Sequence, residues 1–375
     1  MKTLFFKDKN LSFFRKIYPN ILFGMFLTLL FFSSCKQEDK NDLKIQAKGE
    51  KPEWRTELTS EMRDVIDKLE SFGTPPLITL SVEEARKAPT PADAAKAVME
   101  EKNIPVPPSM VDTAGKDIPV EGGNIHIRIY TPKASGGPFP VVVYYHGGGW
   151  VIANLDTYDA SARGLAEQVE AIVVSVAYRQ APEYKFPTAH NDSYAAYKWV
   201  LNNAQSINGL SKKVAVAGES AGGNLAIAVS LMAREEGIQL PVHELSVYPI
   251  ACHDFNTESY KKYADAKPLN KPLMMWFFNH YVPNKEERNS PFISLINADL
   301  KGLPGTTIIA AEIDPLLSEG MSLASKLEKA KVPVKYKLYK GVTHEFFGMA
   351  AVVPEAKEAQ EFASAELRKA FDKVN

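Results

Sequence analysis

The stretch KVAVAGESAGGNLAIAVSLMA, Lys213 to Ala233, decides the fold. It opens on a short apolar run that reads as a buried strand and closes on a run that reads as a helix. Between them stands Gly218-Glu219-Ser220-Ala221-Gly222, a G-x-S-x-G. Chance supplies that pattern about once in ten chains of this length, so the five residues alone say little. Their place says more. A strand that turns straight into a helix through G-x-S-x-G lifts the serine above a sheet, at a helix N-terminus. The flanking glycines are expected because side chains there would strike neighbouring backbone. The competing reading is a glycine-rich turn that carries a solvent serine.

Working outward, the chain changes period near residue 124. NIHIRIYTP alternates apolar and polar residues, the mark of a half-buried strand. FPVVVYY, AIVVSVAY, KVAVAG, ELSVYP and TTIIAAE are continuous apolar runs, and VKYKLYKG is a last strand. Helical segments at 157–169, 188–203, 220–236 and 316–330 separate most of them, and PEAKEAQEFASAELRKAF closes the chain as an amphipathic helix. Apolar strands alternating with helices predict an α/β fold, a mostly parallel sheet covered on both faces. Ligands then bind at the carboxyl ends of the strands. Before the first strand, residues 54–106 are helical, with Leu58, Met62, Val65, Ile66 and Leu69 on one face. Residues 255–300 interrupt the alternation with the aromatic stretch PLMMWFFNHYVP, an insertion over the strand ends.

A serine hydroxyl needs a base, and the base needs an orienting acid. In this fold class the chain order is serine, acid, histidine. Of seven histidines, His344 lies just past the last strand. The acid is sought at the end of TTIIAAEIDP, which offers Glu312 and Asp314. Asp314 is favoured, being further past the strand; its other reading is a plain helix cap. The segment Tyr144 to Val151, YYHGGGWV, follows another strand. Acyl transfer needs N–H donors aimed at a developing oxyanion. Gly147 and Gly148, with Ala221, are the expected donors. A phosphate-cradling loop is disfavoured, because no G-x-G-x-x-G and no P-loop lysine is present.

Taken together, HGGGW, YRQAPEYKFPTAHNDSYAAYKWV, GESAGGNLA, DPLLSEG and GVTHEFFGM resemble the hormone-sensitive-lipase-like branch of the α/β-hydrolases. The resemblance runs from about Glu53 to the C-terminus. It implies an α/β-hydrolase domain over 54–375, with a helical cap from 54–106 and 255–300. It also implies Ser220 as nucleophile, His344 as base, Asp314 as orienting acid, and Gly147, Gly148 and Ala221 as oxyanion hole. The activity implied is that of a serine carboxylesterase on small to medium acyl esters. An acetyl esterase on sugar or aryl acetates is the alternative. Plant gibberellin receptors resemble the same family but lack the catalytic histidine, which this chain has. Three positions depart from the family pattern. Glu219 precedes the nucleophile where Asp or Thr is frequent, Ser318 stands where an acidic residue is frequent, and Glu345 follows the histidine where Gly is frequent. Trp150, Phe277, Phe278 and Tyr281 are expected to wall the substrate pocket, since they flank the glycine loop or lie in the aromatic insertion.

The N-terminus is a separate unit. Lys- and Arg-bearing residues lead into ILFGMFLTLLFF and then FFSSCKQEDK. The apolar run is short of the ~20 residues that span a bilayer and fits a secretory signal. The segment resembles a bacterial lipobox. Residues 1–34 then form a signal peptide, Cys35 the lipidated residue, and 35–53 a polar tether. The expected place is the bacterial cell envelope, anchored by lipid in the periplasmic or cell-surface leaflet. A formal net charge of -1 over 375 residues gives no global basic field for nucleic acid. Two cysteines exclude a disulfide scaffold, and the spacing shows no metal-site pattern. No cofactor is implied, and a homodimer is left open.

Overall fold

The computed structural model describes residues 52–374, apart from 107 and 135. The signal peptide, Cys35 and most of the tether lie outside the described residues. An eight-stranded sheet runs through this unit: β1 (Val111–Val120), β2 (Gly123–Pro132), β3 (Phe139–Tyr145), β4 (Ile172–Ala177), β5 (Gly209–Glu219), β6 (Glu244–Val247), β7 (Thr306–Ile313) and β8 (Val334–Thr343). The spatial order is β1-β2-β4-β3-β5-β6-β7-β8. β1 and β2 pair antiparallel, as do β2 and β4, and every later pair is parallel. β1 had no counterpart in the sequence reading. It is an edge strand of mostly exposed Asp, Thr, Lys and Gly residues, so it carries neither an apolar run nor a clean alternation.

The central strands are buried on both sides, which is why they read as unbroken apolar runs. Alternate residues feed two cores. Val142 and Tyr144 of β3 pack with helices Asp159–Val169 and Pro354–Asp372, while Val141, Val143 and Tyr145 pack with helices Thr188–Asn203 and Ala221–Glu235.

The N-terminal helices divide in two. Met62, Val65 and Ile66, on helix Ser60–Ser71, sit in the main core with Trp54 and Leu58. Met62 reaches the end of β8, where its sulfur accepts the Thr343 hydroxyl at 3.7 Å. The next two helices, Val82–Lys87 and Pro91–Glu101, open on capping boxes built by Ser81 with Glu84 and Thr90 with Asp93. Arg86 ties the first of them to the body. It donates to the carbonyls of Val151 (2.9 Å) and Ala181 (2.7 Å) and pairs with Glu183. The insertion folds as helices Glu258–Lys262 and Lys271–Tyr281. Ser259 fixes the shorter one, exchanging hydrogen bonds with Ser318 at the start of helix Leu317–Lys329. No helix among the described residues is long and apolar enough to cross a membrane.

Candidate active site

Four parallel strands end at one place. β3 runs into His146 and the three glycines, β5 into Ser220, β7 into Asp314 and β8 into His344. The turn after β5 is held open by strain and packing. Ser220 has φ 57° and ψ -116°, a conformation that side-chain-bearing residues seldom adopt. A Cβ on Gly218 would lie 2.1 Å from the Gly222 carbonyl oxygen, and one on Gly222 would lie 1.9 Å from that of Tyr145. Both flanking glycines are therefore required by backbone contact.

His344 joins the serine to the acid. Its Nε2 is 2.9 Å from Ser220 Oγ, and its Nδ1 is 2.6 Å from Asp314 Oδ2. The other Asp314 oxygen accepts the N–H of Leu316 at 2.8 Å, so this carboxylate both fixes the turn before helix Leu317–Lys329 and holds the imidazole. Glu312 takes no part. Its carboxylate accepts the Gly341 N–H at 2.9 Å. Burial disfavours the His344 cation, but Asp314, by charge and hydrogen bond, outweighs it with help from Glu345 and Glu219. The net result is an imidazole more basic than usual.

The glycine loop is aimed by its carbonyls. The Tyr178 hydroxyl donates to the oxygens of His146 (2.9 Å) and Gly147 (3.1 Å). In a trans peptide the next N–H points the opposite way. The N–H groups of Gly147 and Gly148 are thereby turned from Tyr178, and neither meets a protein acceptor among the described residues. The N–H of Ala221, first residue of its helix, is free likewise. Protein groups crowd all three glycines. A Cβ would meet Tyr158 Oη at 2.1 Å from Gly147, the Ile152 carbonyl at 2.2 Å from Gly148 and the Phe277 ring at 2.2 Å from Gly149. His146 is a support residue. Burial lowers its pKa to about 4, and its neutral ring stacks on Tyr178 at 4.3 Å.

A second layer of acids surrounds the imidazole. The buried Glu219 carboxyl accepts the hydroxyls of Tyr144 and Tyr248, and the Tyr248 ring lies 4.5 Å from that of His344. Burial, reinforced by Glu345, raises the Glu219 pKa to about 7. Glu345 Oε1 accepts the Tyr158 hydroxyl at 2.6 Å and lies 3.8 Å from His344 Nε2. Burial raises its pKa too, against the pull of His344. Glu319, one residue from the position where the family pattern favours an acid, is buried and accepts the Ala251 N–H at 2.7 Å.

Ser220 and His344 open into a cavity of about 90 Å³. Leu77, Ala85 and Pro89 close it from the N-terminal segment, and Leu269, Leu273 and Phe277 from the insertion. Only one of the four expected aromatic wall residues is there. Trp150, Phe278 and Tyr281 lie in the core instead, Trp150 stacked on Tyr281 at 4.8 Å and edge-on to Phe278 at 5.8 Å. Helical period explains the split. Leu273 and Phe277 share one stripe of helix Lys271–Tyr281 and face the cavity, while Met274, Phe278 and Tyr281 form the stripe beside it. Among the described residues no cluster of His, Cys, Asp and Glu could hold a metal ion.

The family profile for the α/β-hydrolase fold matches residues 142–348. The chain belongs to the α/β-hydrolase family, in its hormone-sensitive-lipase-like branch. It is 39% identical to carboxylesterase NlhH of Mycobacterium tuberculosis over 252 residues, 66% of this chain and 79% of that one. It is 35% identical to an arylesterase of Saccharolobus solfataricus, over 66% of this chain and 80% of that one. A solved thermostable esterase of Pseudomonas putida superimposes with a TM-score of 0.76 at 32% identity, covering 84% of this chain and 98% of the other. The protein is a serine carboxylesterase.

Glu219 generates a stability prediction. Glu219→Ala strands two buried tyrosine hydroxyls and is expected to cost about 2–5 kcal/mol. Denaturant unfolding at neutral pH measures it. A change below about 1 kcal/mol would show that water replaces the carboxyl without loss.

Proposed function

We propose that this carboxylesterase hydrolyses small to medium acyl esters through Ser220, His344 and Asp314, by way of an acyl-enzyme. The observation that carries the reading is the hydrogen-bonded chain from Ser220 through His344 to Asp314, beside the N–H groups of Gly147, Gly148 and Ala221, which meet no protein acceptor among the described residues, and a cavity lined by Ser220, His344 and Gly148. Ser220 Oγ attacks the ester carbonyl while His344 Nε2 takes its proton. The carbonyl oxygen becomes an oxyanion held by the N–H groups of Gly147, Gly148 and Ala221. As the tetrahedral intermediate collapses, Nε2 passes its proton to the departing alcohol, leaving the acyl group on Ser220. Water, deprotonated by the same nitrogen, then releases the acid. Asp314 fixes the tautomer and stabilises the imidazolium that forms twice per turnover. Residues of such a unit do not act additively. Ser220→Ala, His344→Ala and the double variant are each expected to lose a similar factor, on the order of 10³ or more in kcat. Asp314→Asn should be severe and Glu312→Gln nearly neutral. Kinetics on nitrophenyl esters decide this. Full activity in Ser220→Ala would remove the proposal.

The raised basicity of His344 sets the acid limb. The imidazole must be neutral to accept the serine proton, so kcat/KM falls as pH drops through its pKa. Because the folded site holds that pKa above the ordinary 6.5, the decline begins above pH 6.5. A pH–rate profile with an acid limb centred below 6 would contradict the electrostatic account.

Cys35, outside the described residues, is proposed to carry a lipid that anchors the protein to a bacterial cell-envelope membrane. The support is the lipobox-like FFSSCKQEDK after a short apolar run. Several acyl chains on one cysteine hold firmly where a single chain does not. Cys35→Ala should move the protein from the membrane fraction to the soluble one. An unmodified mature N-terminus by mass spectrometry would rule the anchor out.

A further inference from the structure

Glu345 has features that the hydrolytic chemistry does not call on. Its backbone sits at φ 71°, a left-handed conformation natural to glycine and strained for glutamate. Its carboxyl is drawn into the site, yet the side chain keeps 19% of its surface open and lines the cavity. Oε1 takes the Tyr158 hydroxyl, whereas Oε2 accepts no hydrogen bond among the described residues. The cavity wall is mostly apolar, with Leu77, Ile152, Leu269, Leu273 and Phe277 in it; besides Ser220, His344 and Glu345 its polar members are Arg86, Thr90, Thr157 and Tyr158. A ligand that displaces water from this carboxyl keeps its acceptor satisfied only by bringing a donor of its own.

Its location says which part of the ligand brings that donor. Glu345 Oε1 is 3.8 Å from His344 Nε2, the atom that hands a proton to the departing alcohol. The leaving oxygen must come within hydrogen-bond reach of Nε2. A hydroxyl on the second carbon from that oxygen, vicinal to the ester, can then reach the Glu345 carboxyl while the ester oxygen stays at His344. We infer that Glu345 is a specificity-determining residue that accepts a hydrogen bond from a hydroxyl on the alcohol portion of the substrate. The preferred substrates are thus short acyl esters of polyols rather than of plain alkanols. This rests on the esterase reading above and deepens it.

The test compares glycerol monoacetate with propyl acetate, which lacks the two hydroxyls. The readout is the ratio of their kcat/KM values in wild type, E345Q and E345G. Glycine suits the left-handed backbone, so E345G retains the fold, and a thermal melt verifies this. A hydrogen bond to a charged acceptor is worth enough that E345G should cut the ratio about tenfold or more. E345Q keeps a neutral acceptor and should cut it less. A merely structural or electrostatic role would slow both esters alike and leave the ratio unmoved. A ratio within twofold of wild type in E345G overturns the inference, whatever happens to the separate rates. Calorimetric binding of both acetates to S220A, with and without E345G, reads the same preference without turnover. Absent turnover in wild type would therefore defeat the esterase reading, while equal affinities in the two backgrounds would defeat the role of Glu345.

Discussion

The Tyr145 carbonyl at the end of β3 lies where a Cβ on Gly222 would have to be. That contact sets how closely the helix behind the serine turn approaches the end of β3. Because β3 and β5 are hydrogen-bonded neighbours, the glycine loop leaving one and the serine turn leaving the other emerge side by side. The turn can then bend sharply enough to lift Ser220 while the helix behind it presents the free N–H of Ala221. Asp314 and His344 arrive by the same logic, from β7 and β8, two and three strands beyond β5. A sheet of this kind delivers side chains from distant parts of the chain to one rim, and the rigidity of its two cores keeps them there.

Electrostatics at that rim is a contest between burial and pairing. His344 is surrounded by carboxyls that favour its cation, and burial opposes them. The same burial works on the acids, pushing Glu219 up to about 7 and raising Glu345. Tyrosine hydroxyls relieve part of that penalty, from Tyr144 and Tyr248 on Glu219 and from Tyr158 on Glu345. The acids sit around the imidazole without competing with Asp314 for Nδ1. This chain therefore places a polar, proton-rich layer beneath a cavity whose roof is almost entirely apolar.

That roof comes from two segments with different attachments. The N-terminal part is fastened by Arg86, whose guanidinium meets two backbone carbonyls and Glu183. The insertion is fastened by its aromatic stripe and by the Ser259–Ser318 exchange. The side chains these segments turn toward Ser220 are mostly apolar, Leu77, Ala85, Pro89, Leu269, Leu273 and Phe277 among them. Trp150 and Tyr281 belong to the fastening. Their size and position in sequence suggested pocket walls, but a large ring anchors a cap better from below than from within the cavity.

Local sequence by itself determined the strand–helix alternation, the serine turn and the two glycines around it. Each follows from short-range rules: apolar runs for doubly buried strands, and glycine wherever backbone approaches backbone. It also singled out Asp314 and His344, because chain order limits where the partners of such a serine can be. β1 stayed hidden because an exposed edge strand has no apolar period to show. Tertiary structure alone decided which face of helix Lys271–Tyr281 meets the cavity, and that Tyr178 turns the glycine loop. It alone brought Glu345 to within 3.8 Å of His344 Nε2. Those outcomes depend on rotation about a helix axis and on contacts between residues far apart in the chain. Such distances appear only when the sheet has closed and both cores have packed.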